Sequence, residues 1–341
     1  MITGDYPITA QNIARQIGLR NSDVFITGTD IEKMAPGALQ QKIREVNVFS
    51  RVVPEQKLLI VNALKANGDV VAMTGDGVND APALKSANIG IAMGERGTDV
   101  ARESSDLVLM NDDFSCIVEA VRLGRRIFDN LKKAMAYIIS VHVPIAGASL
   151  LPILMGWPII LYPAHIVFLE LIIDPACSII FESEPAEKNI MERPPRDPKE
   201  SLFGKRLLLI SVLQGSFTLV VVMAVFKVAL ALGQPEASAR TLTFITLIVS
   251  NICLIMTNRS WSRSIVASFS VSNKAFVGVV VGTVLFLGLA IYVPCLQKLF
   301  HFGRMHLPDL AVCLAAGIWC VVWFELTKFI FAKLKIDLMN V

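Results

Sequence analysis

The stretch "AMTGDGVNDAPALKSANIGIAMG", residues 72–94, decides the fold. It reads as an apolar strand, a glycine-bent loop tipped with acids, a helix, and a second apolar strand. Asp76 stands just beyond the apolar run "VVAM", residues 70–73. Gly75 and Gly77 permit a tight turn after Thr74, and Asn79 and Asp80 follow one turn later. Two carboxylates and a carboxamide at one strand tip make a hard-oxygen site for magnesium. That ion takes few protein ligands and keeps its other positions for water or phosphate. An acidic solvated turn would carry "GDG" equally well, but the nine residues "TGDGVNDAP" from Thr74 to Pro82 favour the metal site.

Working outward, residues 1–125 alternate short β-branched runs with helical spacing. "VFITGTDI" from Val24, "VNVFSRV" from Val46, "DVVAMTGD" from Asp69, "IGIAM" from Ile89 and "SDLVLM" from Ser105 are the expected strands. "TAQNIARQIGL" and "PEQKLLIVNALKANG" are the expected helices, the second opening at Pro54 and closing at Gly68. Such alternation predicts one parallel α/β sheet with ligands at the carboxyl ends of its strands. The opening "MITGD" then begins a sheet strand at residue 1, as though the sheet were cut into at its front. Thr3, Gly4 and Asp5 lie at that strand's end, and Lys57 lies in "PEQK". Taken singly, the threonine is a turn residue and the lysine a solvated one. Taken with the loop at Asp76, they supply a hydroxyl, a cation and a magnesium site, which a phosphoryl group needs for orientation and charge neutralisation. A carboxylate nucleophile on a preceding strand is missing.

Beyond residue 125 the chain changes character. Its 341 residues are 54% hydrophobic and 18% charged, too apolar for one soluble domain. A membrane domain over 126–341 is expected, with six spans near 134–156, 159–181, 206–232, 239–257, 275–296 and 309–332. No charged leader precedes an apolar core at the start, so the first span is expected to direct insertion. The net charge of +3 is small, and the basic residues sit in short loops beside apolar runs. They fit orientation in a lipid bilayer and exclude nucleic acid as a partner. Lys188, Arg193, Arg196, Lys199, Lys205 and Arg206, then Arg259, Arg263 and Lys274, then Lys333 and Lys335, fall on the side of the soluble domain, making that side cytoplasmic; Lys298 and Arg304 lie opposite. The six cysteines have no CxxC spacing and read as small buried apolar residues.

The second span carries "FLELIIDPAC". Glu170 and Asp174 are four apart and share a helix face, and ionisable residues within a span imply function by default, pairing with neighbouring helices being the alternative. Pro175 cannot donate to the carbonyl of Leu171, so the helix is expected to open beside Asp174 and free backbone oxygens for a cation. In the first span, His142 beside Pro144 is a ligand, a proton carrier or a packing histidine. Asn251 in the fourth span is a weaker cation candidate, with an interhelical hydrogen bond as the alternative.

Together, "MITGD", "VFSRVVPEQK", "MTGDGVNDAPALKSANIGIAMG" and "GRRIFDNLKKAMAYI" resemble the P-type ATPases, in the cation-pumping branch similar to calcium pumps. The resemblance covers nearly the whole chain. It implies the back half of a phosphorylation domain of the haloacid dehalogenase (HAD) type and the last six membrane helices of a multi-pass pump, in a bacterial plasma membrane. It implies ATP and magnesium as cofactors, Thr3 and Asp5 in the phosphate-binding loop, Lys57 in contact with a phosphorylated aspartate, Asp76 on magnesium, and Asn79 and Asp80 completing the hinge loop. The family's nucleophile belongs to a DKTGT motif upstream of a nucleotide-binding domain, and this sequence contains neither. A separate N-terminal half is therefore an implied partner. Asp174 matches the family's ion-binding aspartate, whereas Glu170, His142 and Ile145 replace its asparagine, asparagine and glutamate ligands. The transported ion is left open among calcium, another hard cation and a proton. A non-catalytic membrane fragment or subunit, using the HAD-like domain for magnesium binding or interaction, is the other reading.

Overall fold

Short β-branched runs separated by turn residues build parallel strands only if each connection crosses over, and here every crossover carries a helix. The computed structural model describes residues 1–35, 37–187, 189–197, 201–202, 204–260 and 272–333. Lys188, Lys199, Arg263 and Lys335, counted above toward orientation, lie outside them. The chain divides into two compact units, Met1–Ala120 and Val121–Val341.

In the first unit, β1 (Phe25–Thr27) pairs in parallel with β2 (Val48–Ser50), and β3 (Ala72–Gly75), β4 (Ile89–Met93) and β5 (Leu107–Leu109) form a second parallel sheet in that order. The single sheet expected from sequence is thus two ladders. Met1–Thr3 extends the first, with Phe49 N–H donating to Met1 O at 2.8 Å and Thr3 N–H to Phe49 O at 2.9 Å. Among the described residues no strand pairing joins Met1–Thr3 to β3. Ile2 instead packs into both apolar clusters, one around Ile26, Phe49 and Ile60 and the other around Val61, Met73 and Leu84. The core is continuous where the hydrogen-bonded ladder is not.

Local chemistry sets the element ends. The strand-like run from Val24 stops at Thr27, because Thr27 and Asp30 cap each other's backbone at 2.9 and 3.2 Å and start helix α2 (Gly28–Glu32). Helix α4 (Pro54–Ala66, following α1 at Pro7–Gln16 and α3 at Ala38–Lys42) opens on Pro54, and buried Gln56 accepts from Val53 N–H at 3.1 Å. It closes at Gly68, whose φ of 90° belongs to the left-handed region that glycine enters freely.

The second unit holds six helices long and apolar enough to cross a membrane: α7 (Ser115–Leu154, after α5 at Ala81–Ser86 and α6 at Asp99–Glu103), α8 (Pro163–Pro175, continued to Phe181), α9 (Lys205–Ala231), α10 (Glu236–Arg259), α11 (Lys274–Tyr292) and, after short α12 (Pro294–Leu299), α13 (Leu307–Lys333). This is a multi-pass membrane protein. Helix α10 is central, 83% of its span being buried against 17% for α11. It can be central while polar because Thr241, Thr243 and Thr246 donate to their own i−4 carbonyls at 2.7–2.9 Å.

Pro144 cannot donate to the carbonyl of Ser140, and α9 closes on that carbonyl at Gly215, where a Cβ would lie 2.5 Å from Ser140 O and 2.7 Å from Val143 Cβ. The Ser140 hydroxyl meets Gln214 Oε1 at 2.9 Å. Farther along, Lys133 pairs with Glu187 at 2.9 Å and Arg259 with Glu184 at 3.0 Å, every one of these side chains at most 2% exposed. Arg126 and Asn130 donate to the Glu184 carbonyl at 2.8 Å, binding α7 to the segment after α8. Of the cysteines expected to be buried, Cys313 and Cys320 are, Cys116, Cys177 and Cys253 are half-buried, and Cys295 is exposed; all six thiols are free.

Candidate functional site

The carboxyl end of β3 delivers Thr74 and Gly75 into a 3-10 turn, Val78–Asp80, that runs directly into α5. Gly75 is required by space, since a Cβ there would meet Asp80 Cβ at 2.6 Å and Cγ at 3.0 Å. Gly77 is not: its backbone is extended (φ −110°, ψ 163°), and a Cβ would meet only Asn79 N at 3.9 Å. The turn does not need the second glycine that the sequence suggested.

Beneath Gly75, Asp80 is 8% exposed, and its Oδ1 takes an ion pair from Lys57 Nζ at 2.5 Å. Two residues 23 positions apart are thereby joined, and an aspartate read from sequence as an open magnesium ligand is committed to the lysine. Asp76 is different. It is exposed, its backbone carbonyl accepts from Thr98 N–H at 2.8 Å, and its carboxylate has no hydrogen bond or ion pair among the described residues. One free carboxylate at a strand tip, beside exposed Asn79, suits an ion that keeps most of its shell for water and phosphate, so the donor set fits magnesium. Thr3 Oγ1 donates to Asp5 Oδ2 at 2.9 Å and accepts from Asp5 N–H at 3.1 Å, closing a turn at Gly4. Val52 N–H donates to Thr3 O and Arg51 N–H to Asp5 O, both at 3.2 Å, holding the turn beside the chain that enters α4 and carries Lys57.

Sequence reasoning passed over Asp112. Its carboxylate accepts from the N–H groups of Gly94, Glu95 and Arg96 at 2.7, 3.1 and 3.0 Å and pairs with the Arg96 side chain, fixing the loop after β4. Burial alone raises its proton affinity, yet the three N–H groups hold the carboxyl below its usual range. The legible signal was a pair of aspartates at a turn, residues suited to the φ of 52° that Asp112 adopts.

In the second unit, His142 and Glu170 come together across α7 and α8. His142 Nδ1 lies 2.8 Å from the Ile138 carbonyl and Nε2 lies 3.8 Å from Glu170 Oε1. Asp174 follows one turn along, exposed and with no hydrogen bond or ion pair to its carboxylate among the described residues. Pro175 does not open the helix as expected. The chain passes into a π-helix, Ala176–Phe181, with Ala176 N–H donating to the Ile172 and Ile173 carbonyls, and the Asp174 carbonyl is taken by the Ser178 hydroxyl at 2.7 Å. Ile145 is buried in the apolar core. Asn251 is fully buried in α10, but neither its Oδ1 nor its Nδ2 finds a partner, and no hydrogen bond or ion pair links it to His142, Glu170 or Asp174. The interhelical bond expected of it is absent among the described residues.

Residues 158–330 match the family model described as cation transporting ATPase, C-terminus. The chain belongs to the cation-transporting ATPases. Residues 1–88 also match the model of haloacid dehalogenase-like hydrolases, making the first unit a partial HAD-like domain. It is similar to the calcium-transporting ATPase of Bacillus subtilis, at 35% identity over 94% of this chain and 35% of that protein. Calcium-transporting ATPase 1 of Bacillus cereus is 36% identical over 96% of this chain and 39% of its own length. The human calcium-transporting ATPase type 2C member 1 is 34% identical over 93% of this chain and 36% of its own. The chain spans about a third of the length of these relatives.

Proposed function

We propose that this ATPase chain is the C-terminal portion of a P-type pump that couples turnover of an aspartyl phosphate to movement of a cation across the bilayer, its HAD-like unit facing the cytoplasm. The observation that carries the reading is the presence in one chain of two matched charge sites. One is the loop of Asp76 with the Lys57–Asp80 ion pair. The other is a span bearing Glu170 and Asp174. A nucleophile would come from a DKTGT-bearing segment of the longer pump, with ATP as phosphoryl donor. Asp76 would hold magnesium, which neutralises charge on the phosphoryl oxygens when bound. Lys57, oriented by buried Asp80, presents a fixed cation, and the Thr3 hydroxyl would donate to a phosphoryl oxygen on turning from Asp5 Oδ2, which now takes its proton. Helix α7, basic at its start and apolar beyond residue 134, would carry movement from that unit into the membrane.

The test is co-expression with an upstream segment carrying DKTGT and a nucleotide-binding domain. A magnesium-dependent phosphoenzyme should form, and Asp76→Asn should reduce it by two orders of magnitude or more. Asp174→Asn should abolish cation-stimulated phosphorylation by ATP while phosphorylation by inorganic phosphate survives, because the two sites are separate. Equal phosphorylation with and without Asp76, or intact cation dependence without Asp174, refutes the corresponding half of the proposal.

A further inference from the structure

The pairing of His142 with Glu170 bears on which cation the pump carries, and the following rests on the reading of this region as the cation site. The Ile138 carbonyl can only accept, so the Nδ1 that lies 2.8 Å from it carries the proton of the neutral ring. In that neutral ring Nε2 presents a lone pair, and it faces Glu170 Oε1 at 3.8 Å. Two acceptors face one another at a separation too long for a hydrogen bond. That separation is within the ~4.2 Å spanned by two bonds of about 2.1 Å, the length of zinc bonds to imidazole and carboxylate. Calcium takes six to eight oxygen donors at longer distances, and a ring nitrogen contributes none. Imidazole with carboxylate suits borderline divalent ions.

We infer that His142 and Glu170 form a mixed nitrogen–oxygen site that selects a borderline divalent ion of the zinc class over calcium. Neither side chain is sealed by the helix packing, His142 being 49% and Glu170 41% exposed. No third His, Cys, Asp or Glu completes a cage among the described residues, so the pair would supply two of the ion's ligands.

The experiment is a titration of the purified chain in detergent micelles with Co2+, a visible probe for zinc sites, read by its d–d absorption. One equivalent should bind, equimolar Zn2+ should displace it, and a hundredfold excess of Ca2+ should not. His142→Gln and Glu170→Gln should each raise the Co2+ dissociation constant about tenfold or more, and His306→Gln, an exposed histidine elsewhere, should leave it unchanged. Displacement by Ca2+ at parity overturns the inference in the wild-type chain, with no variant needed. If Glu170→Gln weakens binding and His142→Gln does not, the site is oxygen-only: the inference fails while the cation-site reading stands. If neither changes binding, both fail.

Discussion

Replacing Glu184 by glutamine tests what holds the end of the membrane unit together. Glu184 Oε2 accepts from Arg259 Nε at 3.0 Å and Asn273 Nδ2 at 2.8 Å, and Oε1 accepts from Arg259 Nη2 at 3.3 Å. Its side chain is 1% exposed and that of Arg259 2%. Glutamine keeps the shape and removes the charge, taking a buried counter-charge away from a guanidinium that is 2% exposed. Opposite charges 3.0 Å apart attract by about 5 kcal/mol at the effective dielectric of a protein. Breaking such a buried pair from one side costs about 3–5 kcal/mol. Glu184→Gln should therefore lower the unfolding free energy of the purified chain by about that amount in an SDS titration followed by far-ultraviolet circular dichroism. The double variant Glu184→Gln/Arg259→Met removes the buried guanidinium as well and should recover at least half of the loss. A loss under about 1 kcal/mol, or a double variant as unstable as the sum of the singles, would refute the reasoning.

Two further outcomes follow from the geometry. Gly215→Ala should destabilise the chain by about 1–3 kcal/mol in the same titration, because the new methyl meets a backbone carbonyl that cannot yield, whereas Gly278→Ala, with nothing within 4 Å, should be neutral; equal effects would remove the close approach from the account. The chain expressed alone should neither hydrolyse ATP nor take label from it, since its sequence supplies no DKTGT nucleophile, and label on an aspartate of the purified chain would contradict this.

Much of the architecture could be read from residues 72–94 and the apolar runs beyond 134, because strand and span periodicities are local properties. Breaks in the strand pattern were harder. Thr27 and Asp30 look like part of a β-branched run until their mutual capping is seen, and the split between the two ladders depends on pairings far apart in sequence. At the phosphate loop the residue types were evident but their division of labour was not. Asp76 and Asp80 are equivalent on paper, and only the approach of Lys57 across 23 positions separates a free carboxylate from a committed one. His142 and Glu170 were each visible as polar residues within a span, but their meeting requires the packing of α7 on α8. Asp112 went unnoticed because its partners, three backbone N–H groups, leave no trace in side-chain identity.

The π-helix after Pro175 has a consequence for anyone scanning α8 by substitution. An α-helix advances 100° per residue, so a periodic rise and fall in tolerance reports which side faces a neighbour. Six residues wound more widely slip that phase, so a pattern fitted from Pro163 to Asp174 runs out of step by Phe181. The slip grows with each residue, so Ile180 and Phe181 depart furthest from the side that counting from Glu170 would assign. The two halves of this helix need separate helical wheels, each with its own origin.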